Sequence, residues 1–256
     1  MSGISKYSLI VAFTLVSTSF SVLAADTGSS EDAVSADPVL PSIITPGRPH
    51  GQRDPHGQLS VDKQIQIALQ HKKEGRPHEA INTLSNALMR HENNAQLYAV
   101  RGSLYLEQGQ VSDALRDLEA ALRLNPTDAS ALTNRAQAYR GFGRMNEALA
   151  DLDRAVELDP DLIAARFNRG AMLYEKDEMG KALTDFNHCI AVDPHAPGPY
   201  FNRAAVYDAM GKRLEAVADL ERFMELTDNE NWKKSAQDIL KAWADKDKAV
   251  GEAKDS

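Results

Sequence analysis

Three asparagines, Asn134, Asn168 and Asn202, stand 34 residues apart. Each carboxamide carries a donor beside an acceptor, the complement of a peptide group, and such a pair recognises backbone without reading side-chain sequence. Arginine recurs at the same interval (Arg101, Arg135, Arg169, Arg203), and aspartate follows each one 16 residues later (Asp117, Asp151, Asp185, Asp219). Matched guanidinium and carboxylate groups are ion-pair partners, each arginine bringing the charge that neutralises it. A clamp for an acidic peptide tail is the functional alternative. Catalytic chemistry finds less support. His188 beside Cys189 suggests a thiol and its base, but adjacent positions on a helix point in different directions and cannot meet. Pro49-His50-Gly51-Gln52 returns as Pro55-His56-Gly57-Gln58. Two histidines on a loose loop could touch a transition metal, but they are read as a duplication without a site, and no metal or cofactor is expected. A Gly-rich phosphate loop, a paired zinc-ligand motif and a nucleophile elbow are all absent from the sequence. The expectation is a protein that is not an enzyme.

The interval itself names the elements. From Val61 the chain divides into units 61–94, 95–128, 129–162, 163–196 and 197–230, each numbered here by slots 1 to 34. Slot 8 is small (Ala68, Gly102, Ala136, Gly170, Ala204) and slot 20 is always alanine (Ala80, Ala114, Ala148, Ala182, Ala216), while slot 24 is bulky (Leu84, Leu118, Leu152, Phe186, Leu220). Small residues let helix backbones approach, and bulky ones opposite fill the space, so these slots predict the core of stacked helical hairpins. Gly75, Gly109, Gly143 and Gly211 mark the turn at slot 15, where Asp177 stands in the fourth unit and weakens that turn. Asn125-Pro126, Asp159-Pro160 and Asp193-Pro194 close units. A stack of such hairpins is a solenoid whose long concave wall suits another chain.

The pattern resembles the tetratricopeptide repeat family, with Tyr98 and Tyr200 at slot 4, Tyr105, Tyr139 and Tyr207 at slot 11, and Ala87, Ala121 and Ala155 at slot 27, where Cys189 takes the same small-residue place. The match covers 61–230. Departures sit mostly at the ends: Glu92 and Asp228 replace the proline of slot 32, and His71 replaces the tyrosine of slot 11. The resemblance implies an all-α, right-handed α-solenoid of five helix-turn-helix units, with the first helix of each pair lining a groove through slots 2, 5, 6, 9, 12 and 13. Slot 6 then presents Asn134, Asn168 and Asn202 to a bound strand, slot 5 adds Phe167 and Phe201 as apolar shelves, and slot 12 adds Leu106, Arg140 and Tyr174. The basic pair at slots 2 and 6, with which chaperone adaptors of this family grip a terminal carboxylate, is missing here. The expected partner is an extended peptide segment of another protein. Self-assembly into a homo-oligomer and service as the accessory subunit of an enzyme are the alternatives.

Thr227 and Glu230 form a T-x-x-E capping box ahead of Trp232, Ala236, Ile239, Leu240 and Trp243, whose spacing predicts a lid helix over 231–247 and a polar tail over 248–256. Residues 25–60, rich in Pro, Ser and Asp, read as a flexible leader. Residues 1–24 read as a signal peptide: Lys6, an apolar run from Leu9 to Phe20, and small residues before a cut after Ala24. An uncleaved anchor is the alternative. The chain is thus expected in the periplasm, or secreted, with no membrane span after cleavage. Removing Lys6 leaves 28 basic against 37 acidic residues, and so acidic a surface argues against nucleic acid as a partner. A single cysteine forms no internal disulfide, so stability rests on packing.

Overall fold

A computed structural model describes residues 59–254, all helix and connecting turns. The signal segment, the leader up to residue 58, His50 and His56 lie outside the described residues. Two units divide between Ala165 and Arg166. The first contains the hairpins α1 (Val61–Lys73) with α2 (Pro77–Leu88), α3 (Ala95–Glu107) with α4 (Val111–Leu124), and α5 (Ala129–Gly141) with α6 (Met145–Leu158). The second contains α7 (Ile163–Glu175), whose first turn spans the division, with α8 (Met179–Val192), then α9 (Pro197–Ala209) with α10 (Arg213–Leu226), and α11 (Glu230–Lys254). No described helix is long and apolar enough to cross a membrane.

Each hairpin turns in the same way. Gly75, Gly109, Gly143 and Gly211 hold φ between +70° and +74°, the left-handed region where glycine meets no Cβ penalty. The N–H of Gly109 donates to Leu106 O at 2.9 Å and that of Gln110 to Tyr105 O at 2.8 Å, a Schellman closure repeated at the other turns. Asp177 adopts the same conformation, φ 66°, and makes the same bonds, with Glu178 N–H donating to Leu173 O at 2.8 Å. The fourth turn is therefore formed, with a side chain where the others have none.

Between units the chain is led by side-chain caps. Asn125 Oδ1 accepts from Thr127 Oγ1 at 3.1 Å, and Asp193 Oδ1 accepts from the His195 N–H at 2.9 Å, turning the chain beside Pro126 and Pro194. Asn94 and Asp128 then cap α3 and α5, accepting from Leu97 and Ala131 N–H, each at 2.9 Å. At α11 the cap differs from the sequence expectation. Asn229 Oδ1 accepts from Trp232 N–H at 3.1 Å and is the N-cap, whereas Thr227 ends α10 with its N–H donating to Phe223 O. Thr227 is committed to the preceding helix, so the capping box with Glu230 does not form. The helix also runs past 247 to Lys254, through Lys, Ala and Glu residues that favour helix and with no proline to stop it.

The core is the predicted set of slots. Ala68, Leu84, Ala87, Leu118, Leu152, Phe186, Cys189, Leu220 and Phe223 are fully enclosed, and the slot 20 alanines with them. Contact at slot 8 is close enough to distinguish its occupants. A Cβ on Gly102 would meet Leu118 Cγ at 2.9 Å, and one on Gly170 would meet Phe186 Cε1 at 3.0 Å. The larger ring at slot 24 of the fourth hairpin thus takes the space of a slot 8 methyl.

Every hairpin but the first is also clamped by its arginine and aspartate. Arg101 donates through Nε and Nη2 to Asp117 at 2.6 and 2.8 Å, Arg135 to Asp151 at 2.7 and 2.7 Å, Arg169 to Asp185 at 2.8 and 2.7 Å, and Arg203 to Asp219 at 2.7 and 2.6 Å. Both helices of one hairpin contribute, so the pairing is within units. All four aspartates are buried. Hydrogen bonds to Asp117 hold the Arg101 guanidinium more firmly charged than usual, against the opposing effect of burial.

At the C-terminus α11 takes the place that a further first helix would occupy. Trp232 packs its edge on Phe201 near the start of α9, and the Trp243 ring lies 4.1 Å from the Arg213 guanidinium beyond the end of α9, so the two helices run in the same direction. Continuing the slot register from 231 gives Lys234, Asp238 and Lys241 at slots 4, 8 and 11, all exposed. These charges replace the tyrosines and small residue on which another second helix would pack, which ends the stack.

The glycines offer a graded test by thermal or denaturant unfolding. Gly143→Ala is expected to cost about 1–2 kcal/mol from its left-handed φ alone. Gly170→Ala is expected to cost about 1 kcal/mol by crowding Phe186, after the gain in helix propensity. Gly180→Ala, in α8 with open space around it, should be neutral or stabilising. Equal stability of the Gly143 and Gly180 variants would contradict this order.

Candidate functional site

The first helices of the hairpins carry the predicted groove residues, and the structure treats them unequally. In the first unit slot 6 reads Gln66, Val100 and Asn134: exposed, buried and half-buried in turn. Arg140 and Leu106 at slot 12 are half-buried. Lys72 Nζ on α1 bonds Glu107 Oε1 on α3 at 2.6 Å, so part of the polar lining is paired internally.

In the second unit the slot 5 phenylalanines are core residues and not open shelves. Phe167 meets Phe186 edge-on at 6.0 Å between centroids, and Phe201 sits between Phe223 at 4.9 Å and Trp232 at 6.1 Å. Rings of this size gain roughly 1.5–3 kcal/mol by burial, and neighbouring helices lie close enough to supply it. Tyr174 is likewise buried, its phenol pushed above the usual range first by that burial and then by Asp208 and Asp177, so it stays protonated. What remains polar on this face is Asn168, half-buried on α7, and Asn202 on α9.

Asn202 is unlike its counterpart. Its side chain is 0 % exposed, and neither Nδ2 nor Oδ1 meets a hydrogen-bond partner. Asn168 is followed by α9 and keeps access to solvent, whereas Asn202 is followed by α11, whose Trp232 covers the adjoining Phe201. An unpaired buried carboxamide costs about 1–3 kcal/mol for each polar group left without a bond. That expense falls where a peptide group would supply both missing partners.

Two further features were not evident from spacing alone. The slot 7 arginines lie between tyrosines at slots 4 and 11: Arg101 is 5.8 and 5.7 Å from the Tyr98 and Tyr105 rings, and Arg203 is 5.6 and 5.7 Å from Tyr200 and Tyr207. Slots 4, 7 and 11 share one helix face, a periodicity that could have announced it. In the third hairpin slot 4 is Leu132, and a depression of about 350 Å³ opens there, lined by Glu119, Leu122, Arg123, Pro126, Leu132 and Arg135.

Cys189 is fully enclosed, and burial, aided by Asp185 and opposed by Arg166, pushes its thiol up to about 12. It is a protonated packing residue at neutral pH, and a nucleophilic thiolate requires the reverse shift. Among the described residues no group of His, Cys, Asp and Glu is arranged to hold a metal ion.

Comparison with known proteins agrees with this architecture. Residues 99–163 match the tetratricopeptide repeat family. No curated protein matches the chain. Among solved structures, a thermophilic TPR protein of Thermus thermophilus superposes with a TM-score of 0.60 at 20% identity, over 71% of this chain and 99% of that one. A tetratricopeptide repeat protein of Parabacteroides merdae gives 0.59 at 25% identity over 71% of each chain. YrrB, described as a TPR protein with an unusual peptide-binding site, gives 0.54 at 21% identity over 70% of this chain and 92% of that one. With its repeated turns, small-to-large helix contacts and this match, the chain is a tetratricopeptide-repeat protein of the all-α solenoid class.

Proposed function

We propose that the protein is a non-enzymatic scaffold that holds an extended segment of another protein against the first helices of its hairpins, and that it works in the periplasm in envelope assembly or secretion. The tetratricopeptide-repeat fold supports the scaffold role. The unpaired, enclosed carboxamide of Asn202 is the observation that carries the peptide reading. A guest strand offers a carbonyl to Nδ2 and an N–H to Oδ1 at each peptide group, whatever its sequence. Asn168 stands at the same slot of the preceding first helix in the same unit and is reachable now. Neighbouring helices about 8–10 Å apart match about three residues of extended chain at roughly 3.3 Å each, so one strand can meet successive asparagines. Asn134 extends the same chemistry to the first unit. Capture at Asn202 requires α11 to shift at Trp232.

Each peptide hydrogen bond contributes about 0.5–1.5 kcal/mol net, and ordering the guest costs several, which places affinity in the micromolar range. Export is supported by Lys6, the apolar run from Leu9 to Phe20 and the small residues before the cut after Ala24.

Replacing Asn134, Asn168 and Asn202 together by alanine is expected to abolish most capture of partner segments from an envelope extract, with far-UV circular dichroism unchanged. Trp232→Ala should raise capture by freeing Asn202. Unaltered capture by the triple variant at unaltered helix content would remove the carboxamides from the mechanism. For the compartment, mass spectrometry of the exported fraction should find a chain starting at Ala25; a full-length chain held in the membrane would favour the anchor instead.

A further inference from the structure

The depression beside Leu132 lies where two sister hairpins place a ring. Tyr98 and Tyr200 occupy slot 4 and face their slot 7 arginines at 5.8 and 5.6 Å. The Tyr200 hydroxyl also donates to the Pro194 carbonyl at 3.2 Å. In the third hairpin the arginine is present, bidentate on Asp151, and Tyr139 at slot 11 lies 5.4 Å from it. Pro126, which corresponds to Pro194, lines the depression together with Leu122 and Arg135. Only the slot 4 ring is replaced, by leucine.

We propose that this depression is an acceptor for a tyrosine side chain of a partner polypeptide. The guest ring would lie against the Arg135 guanidinium opposite Tyr139, its edge on Leu122 and Leu132, and its hydroxyl would donate to the Pro126 carbonyl as Tyr200 does to Pro194. Asp151 keeps Arg135 charged and oriented, so the cationic face is prepared before the guest arrives. This chain does not supply the ring from its leader, since residues 25–58 contain no Phe, Tyr or Trp. Phe142 of a second copy is exposed, at 48 %, but lacks the hydroxyl that the Pro126 carbonyl would accept. The depression is formed within the first unit and is separate from Asn168 and Asn202.

The test is a titration of the full chain with N-acetyl-tyrosine amide and N-acetyl-leucine amide, followed through the methyl resonances of Leu122 and Leu132. The tyrosine derivative is expected to bind about tenfold more tightly, the sum of a cation–π contact and one hydrogen bond. Leu132→Tyr, which restores the residue that two sister hairpins tolerate, should fold and abolish the response; the triple asparagine variant should keep it. Equal response to both amides, or a response surviving Leu132→Tyr, would overturn the proposal. So would concentration-dependent self-association lost on Phe142→Ala, which would assign the depression to a second copy.

Discussion

A bidentate bond between one arginine and one buried aspartate closes each hairpin from the second to the fifth. Two parallel N–H donors on a planar guanidinium accept only one arrangement of the carboxylate, so the fork sets the axial register of the second helix against the first. Burying the carboxylate makes a wrong register expensive, because an unpaired charge in that position has no water to replace its partner. The third guanidinium nitrogen extends the constraint to the preceding hairpin in two places, Arg101 Nη1 donating to Ser85 Oγ at 2.9 Å and Arg203 Nη1 to Asn187 Oδ1 at 2.6 Å. With register set, slot 8 meets slot 24, the tyrosines flank the arginines, and slot 6 recurs on one helix face.

Functional groups are exposed or enclosed by what happens at the edges of this regular arrangement. Within the second unit α11 supplies a first helix without a second, presents Lys234, Asp238 and Lys241 where a further hairpin would pack, and covers α9 closely enough to enclose Asn202. Closing one end of the stack thereby leaves a carboxamide unpaired. In the first unit a single slot 4 change, leucine for tyrosine, opens a depression over an otherwise complete arginine site. Both features arise where one position departs from a rule its sisters obey.

Much of this was legible in the residues. Small slot 8 against bulky slot 24, the four Arg and Asp pairs, the glycine turns and the substitution at Asp177 all follow from residue type at a fixed interval. Cys189 was legible as a packing residue because its sisters are alanines. Legibility failed where the outcome depends on how near two helices come. Phe167 and Phe201 belong by slot to the inner face, yet their rings reach Phe186, Phe223 and Trp232 and are buried. Thr227 and Glu230 have the spacing of a capping box, but Asn229 is nearer the start of α11 and Thr227 is already bound to α10. The enclosure of Asn202 depends on α11, which lies outside the repeating pattern.

A double-mutant cycle on Arg101 and Asp117, read by denaturant unfolding, tests the fork as the element on which the register depends. Asp117→Ala alone is expected to cost about 3 kcal/mol, because it strands a partly buried guanidinium, and the pair should couple by at least about 1 kcal/mol. A coupling within about 0.5 kcal/mol of zero, with helix content retained in all variants, would show that the hairpin holds its register without the bond and would contradict the account.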